Sequence, residues 1–248
     1  MMRFRRIFSA ALALLVLSAF PAFAGWVETS QEGVFYYGDG IVKQVPSPEA
    51  GGPESIMDFR KGTVTMVDHD SRTYTTFKFE EFCQVLKKMY AGAPPEMLAQ
   101  MKQMNESRPK PNVTVKKVGK GEPVAGYATT KYQVMDNGQL ERTVWMAEDA
   151  QLANFYRSFG DQANEHMKKM MVCKDLGMNG DTVDMSSSYL DLMKKGWLMM
   201  EEVVDEDSVS GVSAPVEELV EENLPASTFQ VPQGYKKVSL DQFNMGDQ

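Results

Sequence analysis

Few residues in this chain have the types and spacing to do chemistry. There are two histidines, two cysteines and nineteen methionines in 248 residues. Only His69 and His166 could act as a base near neutral pH. His69 stands in Asp68-His69-Asp70-Ser71-Arg72, a run suited to a tight turn because its short polar side chains bond their own backbone. No Gly-x-Ser-x-Gly elbow, His-Glu-x-x-His pair or glycine-rich phosphate loop is present, and no two carboxylates are singled out by spacing, so the expectation is a protein that is not an enzyme and carries no cofactor. The nine acids between Glu201 and Glu222 lack the glycine turn of a calcium loop. His166-Met167-x-x-Met170-Met171 offers imidazole and thioether groups, a donor set that suits Cu(I). The same methionines continue an apolar helical stripe, however, and four side chains of one helix cannot all converge on a small ion. Copper therefore ranks below core packing, and no metal is expected.

The two cysteines exclude zinc ribbons and iron–sulfur clusters, which need four soft ligands. Neither lies in a Cys-x-x-Cys motif or near a histidine in sequence, so Cys83 and Cys173 are either buried thiols or a disulfide. An oxidising compartment would allow the pair, and residues 1–24 point to one. Arg3, Arg5 and Arg6 precede the apolar run Ile7–Phe20, and Ala22-Phe23-Ala24 is a small-x-small cleavage site. The run is shorter than the roughly 20 residues that span a bilayer, Pro21 ends it, and no cysteine follows for lipidation. The expectation is a signal peptide cleaved after Ala24, a periplasmic or secreted product, and one domain over 25–248 with a polar C-terminal tail. Loss of the three arginines takes the formal charge from −8 to −11. That balance argues against nucleic acid and against simple adhesion to anionic membranes.

The elements that must position these residues start with strands. Val34–Tyr37, Ile41–Val45, Ser55–Phe59, Thr63–Val67 and Thr73–Phe77 are β-branched or aromatic runs separated by turn residues. A helix follows with Phe79, Phe82, Leu86 and Met89 or Tyr90 on one stripe; a second, with Pro95 as its first residue, carries Met97, Leu98, Met101 and Met104. Tyr127–Met135 and Gln139–Ala147 form a hairpin over Asn137-Gly138, the type I′ pair, in a register that sets Met135 against Leu140 and Thr130 against Trp145. Asp149 caps a long helix with the stripe Leu152, Phe155, Phe159, Ala163, Met167 and Met170. Strands are expected at Trp197–Val204 and Val209–Val220. Hairpin connections make this an antiparallel α+β chain.

Tyr36-Tyr37-Gly38-Asp39-Gly40, Met66-Val67-Asp68-His69-Asp70-Ser71-Arg72-Thr73-Tyr74-Thr75, the Gly126-Tyr127 strand ending in Tyr132-x-Val134, and Phe229-x-Val231-Pro232-x-Gly234-Tyr235-Lys236-Lys237 together resemble a secreted bacterial domain-of-unknown-function family in the superfamily of lipoprotein carriers (LolA- and LppX-like). The resemblance implies a curved antiparallel sheet, a half-open β-barrel, with helices covering its concave face and an apolar cavity between them. A cysteine that often follows the Gly-Tyr pair in such proteins is Ala128 here, so their disulfide is not implied. On this reading the protein is a non-catalytic binder of a lipid, acyl chain or lipidated partner. Its cavity would be lined by Met97, Met101, Met104, Phe155, Phe159, Met167, Met170 and Met171, since unbranched methionine adapts to an indefinite chain. The alternatives are a protein-interaction or envelope-sensor module of the same fold and, behind it, a Met/His copper binder.

Overall fold

The computed structural model describes residues 22–204, 211–212 and 214–243; the side chains at 22, 23, 89, 159, 211 and 212 lie outside the described residues. Strands β1 (Ala22–Ser30), β2 (Gly33–Gly38), β3 (Ile41–Pro46), β4 (Glu54–Asp58), β5 (Thr63–Asp68) and β6 (Thr73–Lys78) form an antiparallel meander. Helices α1 (Phe82–Met89) and α2 (Pro95–Ser107) follow, then β7 (Val113–Lys120), β8 (Thr130–Asp136) and β9 (Gln139–Ala147). Helix α3 (Ala150–Met170) leads to the short β10 (Val172–Cys173) and β11 (Met178–Asn179) pair and to α4 (Ser187–Met193). The chain ends with β12 (Trp197–Val203), β13 (Gly211–Val212), β14 (Glu218–Pro225) and β15 (Lys236–Lys237).

Two large sheets result: an eight-stranded one in the order β14-β1-β2-β3-β4-β5-β6-β15 and a five-stranded one in the order β13-β12-β9-β8-β7. Neither closes into a barrel among the described residues. Every pairing is antiparallel except β15, which runs parallel to β6. The turns form as their residues dictate. The Asp68 carboxylate accepts from the Asp70 and Ser71 amides, and Asn137 and Gly138 hold φ of 49° and 85°, the left-handed pair that a type I′ turn requires. The hairpin register differs from the expected one at its far end. Met135 does face Leu140, but an irregularity between Val134 and Met135 moves the partner of Thr130 to Met146.

β1 is an element that sequence reading did not anticipate. It pairs with β14 from Ala22↔Pro225 onward, so its first three residues overlap the expected cleavage site. The strand expected at Val209–Val220 is divided between β13 and β14, and residues 205–210 lie outside the described residues.

Strand alternation gives the eight-stranded sheet two apolar faces. One carries Trp26, Tyr37, Val42, Met57, Val64, Met66 and Phe77 and packs on α3. The other carries Val27, Tyr36, Ile41, Ile56, Val67, Tyr74 and Leu224 and is covered by Phe229, Val231 and Tyr235 of the C-terminal segment. α3 starts where expected, with the Asp149 carboxylate accepting from the Gln151 and Leu152 amides. The five-stranded sheet packs Tyr132, Val134, Val144 and Met146 under Tyr189 and Leu192 of α4. The sheets meet where Trp197 of β12 donates from Nε1 to Glu28 of β1 (2.7 Å) and Tyr127 donates to the Leu219 carbonyl (3.2 Å).

A candidate apolar cleft between sheet and helix

The face of the eight-stranded sheet under α3 is not uniformly sealed. Val42, Val64, Phe77, Phe79 and Val85 are buried, whereas Tyr37, Met57, Met66, Phe82, Phe155, Met167, Met170 and Leu240 pack around them and stay only partly buried. Strand alternation presents Met57 and Met66 from below, and the i, i+3 spacing of Met167 and Met170 presents them from α3. A wall of methionines and aromatics with residual exposure is apolar and adaptable. Sequence periodicity could identify the α3 side. Met57 and Met66 were missed because each sits in a short strand whose register decides which face it joins.

At one end of this seam a carboxylate lies among aromatic rings. Glu28 accepts from Trp197 Nε1 and from the Tyr37 hydroxyl (3.3 Å), while Tyr37 meets the Trp197 ring edge-on at 4.7 Å and Phe155 lies 6.1 Å from it. Burial raises the Glu28 pKa, only partly opposed by its two donors, and burial together with the Glu28 charge raises that of Tyr37 well above the usual phenol value. At the other end Cys83 of α1 is disulfide-bonded to Cys173, just past α3. The bond ties α1 to the end of the helix that covers the sheet.

The expected cavity residues separate into groups. Phe155, Met167 and Met170 lie in the seam. The side chain of Phe159 lies outside the described residues. Met97 and Met104 do not line it: they are 42% and 69% exposed on α2, a helix with no buried residue that packs against residues 174–179 rather than the sheet. Met101, also on α2, is half-buried. The two prolines at 94–95 turn α2 away from α1, a redirection that helical spacing cannot reveal. Met171 instead borders a separate pocket of about 230 Å³ with Asn105, Arg108 and Thr182. His166 is occupied in packing. Its ring stacks on Phe79 at 5.2 Å, and Gly62 approaches so closely that a Cβ there would lie 3.0 Å from the ring.

His69 acquires partners that its sequence neighbourhood does not show. Its Nε2 lies 3.1 Å from Glu54 Oε2 and its Nδ1 2.8 Å from the Tyr235 hydroxyl; Lys43 forms an ion pair with Glu54 at 3.0 Å. Glu54 is buried, while His69 is exposed. Both ring nitrogens are engaged, so the imidazole acts as a staple. It fixes the C-terminal segment where Lys236 and Val238 donate to the Arg72 and Tyr74 carbonyls. Beside it, Ile41, Ile56, Thr65, Phe229 and Val231 border an open groove of about 440 Å³ whose rim holds Arg60 and Lys61. Both cations are paired with Asp58. Burial would raise the Asp58 carboxyl, but the Lys61 bonds and the two positive charges outweigh it and hold its pKa low.

A profile of the family described as "Domain of unknown function (DUF4412)" matches residues 44–235. None of the curated proteins compared with the chain matches it. Among solved structures, an uncharacterized conserved protein from Thermus thermophilus is similar over 87% of this chain and 90% of that chain, at 9% identity and a TM-score of 0.42.

Proposed function

The chain belongs to the DUF4412 family, a domain of unknown function, and from the seam under α3 we propose that it is a non-catalytic binder of a lipid, an acyl chain or a lipidated partner. The observation that carries this reading is that Tyr37, Met57, Met66, Phe82, Phe155, Met167 and Met170 stay only partly buried where they pack around the core between the eight-stranded sheet and the helices. A fully packed core would bury such side chains as it buries Val67 or Leu152. On this proposal the open sheet and α3 act as a half-barrel and its cover, in the manner of the LolA- and LppX-like carriers. The chain works in the periplasm or is secreted after loss of residues 1–24. Among the described residues no helix is long and apolar enough to cross a membrane.

Native mass spectrometry of protein gently extracted from its own host is the direct test. The expected result is a copurifying lipid or fatty acid that is lost when Met66 and Met170, facing each other across the seam in the proposal, are both replaced by tryptophan. A protein free of lipid, which also fails to take up a fluorescent fatty acid, would refute the proposal.

A further inference from the structure

The acidic net charge of the chain conceals a basic region. Between Arg108 and Lys131 there are six Lys or Arg residues and one acid, Glu122. The fold concentrates part of this run at one sheet edge. β7 is the outermost strand of the five-stranded sheet, so among the described residues one side of its backbone ladder has no strand partner. It carries Lys116, Lys117 and Lys120 around Val118, which is 51% exposed. Register adds more charge on both faces of this edge: Lys117, opposite Tyr132, and Lys195, just past α4 and 4.8 Å from the same Tyr132 ring, lie on the α4 side, while Lys131, opposite Gly119, lies on the other side with Lys116. Lys131 lies over the Trp145 ring at 4.4 Å. Lys117 is paired with Glu148, whose carboxylate also accepts from Thr130 and Tyr132. No carboxylate among the described residues pairs with Lys116, Lys120, Lys131 or Lys195.

We propose that this edge is a docking surface for an anionic lipid bilayer, with the ammonium groups on headgroup phosphates and Val118 entering the headgroup layer. A strand studded with lysines is a poor template for a further strand, because the charges must be desolvated when another backbone pairs there. The same long side chains suit a headgroup layer, where their alkyl stems lie against apolar surface and the ammonium groups stay hydrated. Distant acids do not cancel the attraction, because exposed charges are screened beyond roughly 8–10 Å at ordinary ionic strength. Net charge therefore sets long-range repulsion, and the local cluster sets contact. The inference uses charge placement alone, so it does not depend on whether the seam under α3 holds a ligand.

Vesicle co-sedimentation tests it with the purified protein. Vesicles containing phosphatidylglycerol should retain the protein, pure phosphatidylcholine vesicles should not, and 0.5 M salt should abolish retention. Replacing the exposed Lys116, Lys120 and Lys195 by glutamine should weaken binding about a hundredfold, at about fivefold per lysine. A control with the same charge change elsewhere, K174Q/K236Q/K237Q, should bind within about twofold of the parent, and matching melting curves confirm that both variants fold. Equal loss in the two variants would overturn the proposal, as would equal retention on neutral and anionic vesicles. Binding to soluble polyglutamate without binding to vesicles would assign the edge to an acidic protein instead.

Discussion

Breaking the Cys83–Cys173 bond gives a perturbation whose size follows from the chain alone. The bridged residues are 90 apart in sequence. Cross-linking a loop of that length removes about 15 cal/mol/K of entropy from the unfolded chain, or about 4–5 kcal/mol at 25 °C. For a domain of this size each kcal/mol moves the melting temperature by roughly 2–4 °C, so the double variant C83A/C173A should melt about 9–18 °C below the oxidised protein. Cys173 is fully buried, and its truncation adds a small cavity cost. Reduction of the parent with a phosphine, which leaves both sulfurs in place, separates that cost from the entropy. Guanidinium denaturation gives a second reading: the uncrosslinked unfolded chain is more expanded, so the m-value should rise on reduction. Because the bond joins α1 to the end of α3, hydrogen exchange should accelerate first in Phe82–Met89 and the last turn before Met170. A melting shift under about 3 °C with an unchanged m-value would refute the argument, since both would mean that the unfolded chain is not restrained by the bond.

Glu28 predicts a pH dependence. Its folded pKa is raised by burial, so its contribution to stability is present below the ordinary carboxylate range and is lost as pH rises through the folded value. Glu28→Gln keeps an acceptor for Trp197 and should flatten the stability profile above pH 4.5, melting higher than the parent at pH 7.5; parallel profiles would show that the carboxyl titrates normally. Arg142, 13% exposed, lies 2.9 Å from Asp184 and 2.7 Å from Glu201. Removing it by Arg142→Met takes the positive partner from Asp184, which is solvent-exposed, and from Glu201, whose pKa is already raised by burial, and should cost about 2–3 kcal/mol in urea unfolding, with partial recovery in an R142M/E201Q double variant. Asp149→Ala removes the α3 cap and should cost about 1 kcal/mol, measurable as a melting shift of about 2–4 °C.

Much of the local structure was legible because it follows from short-range rules. The Asn137-Gly138 turn, the Asp68 turn, the Asp149 cap and the proline start of α2 each depend on what one or two residues allow or impose on their own backbone, and all four form. β1 was not legible, because its N-terminal residues also spell a cleavage site and its partner β14 lies almost two hundred residues away. The candidate seam was half legible. Phe155, Met167 and Met170 repeat at helical spacing, whereas Met57 and Met66 depend on strand register, and the outward turn of α2 depends on packing against residues 174–179.

The sequence by itself determined the turns, caps, chain order, the pair of cysteines available for bonding and the lack of familiar catalytic motifs, since each is a property of residues within a few positions or of composition. Tertiary structure alone decided which methionines border the seam, which carboxylate lies among aromatic rings, that His69 is stapled between Glu54 and Tyr235, and that Lys195 joins the basic run of 108–131 at one sheet edge. The physical reason is that burial and charge act through distance in space. Long-range pairing sets that distance, and a single sequence does not contain it.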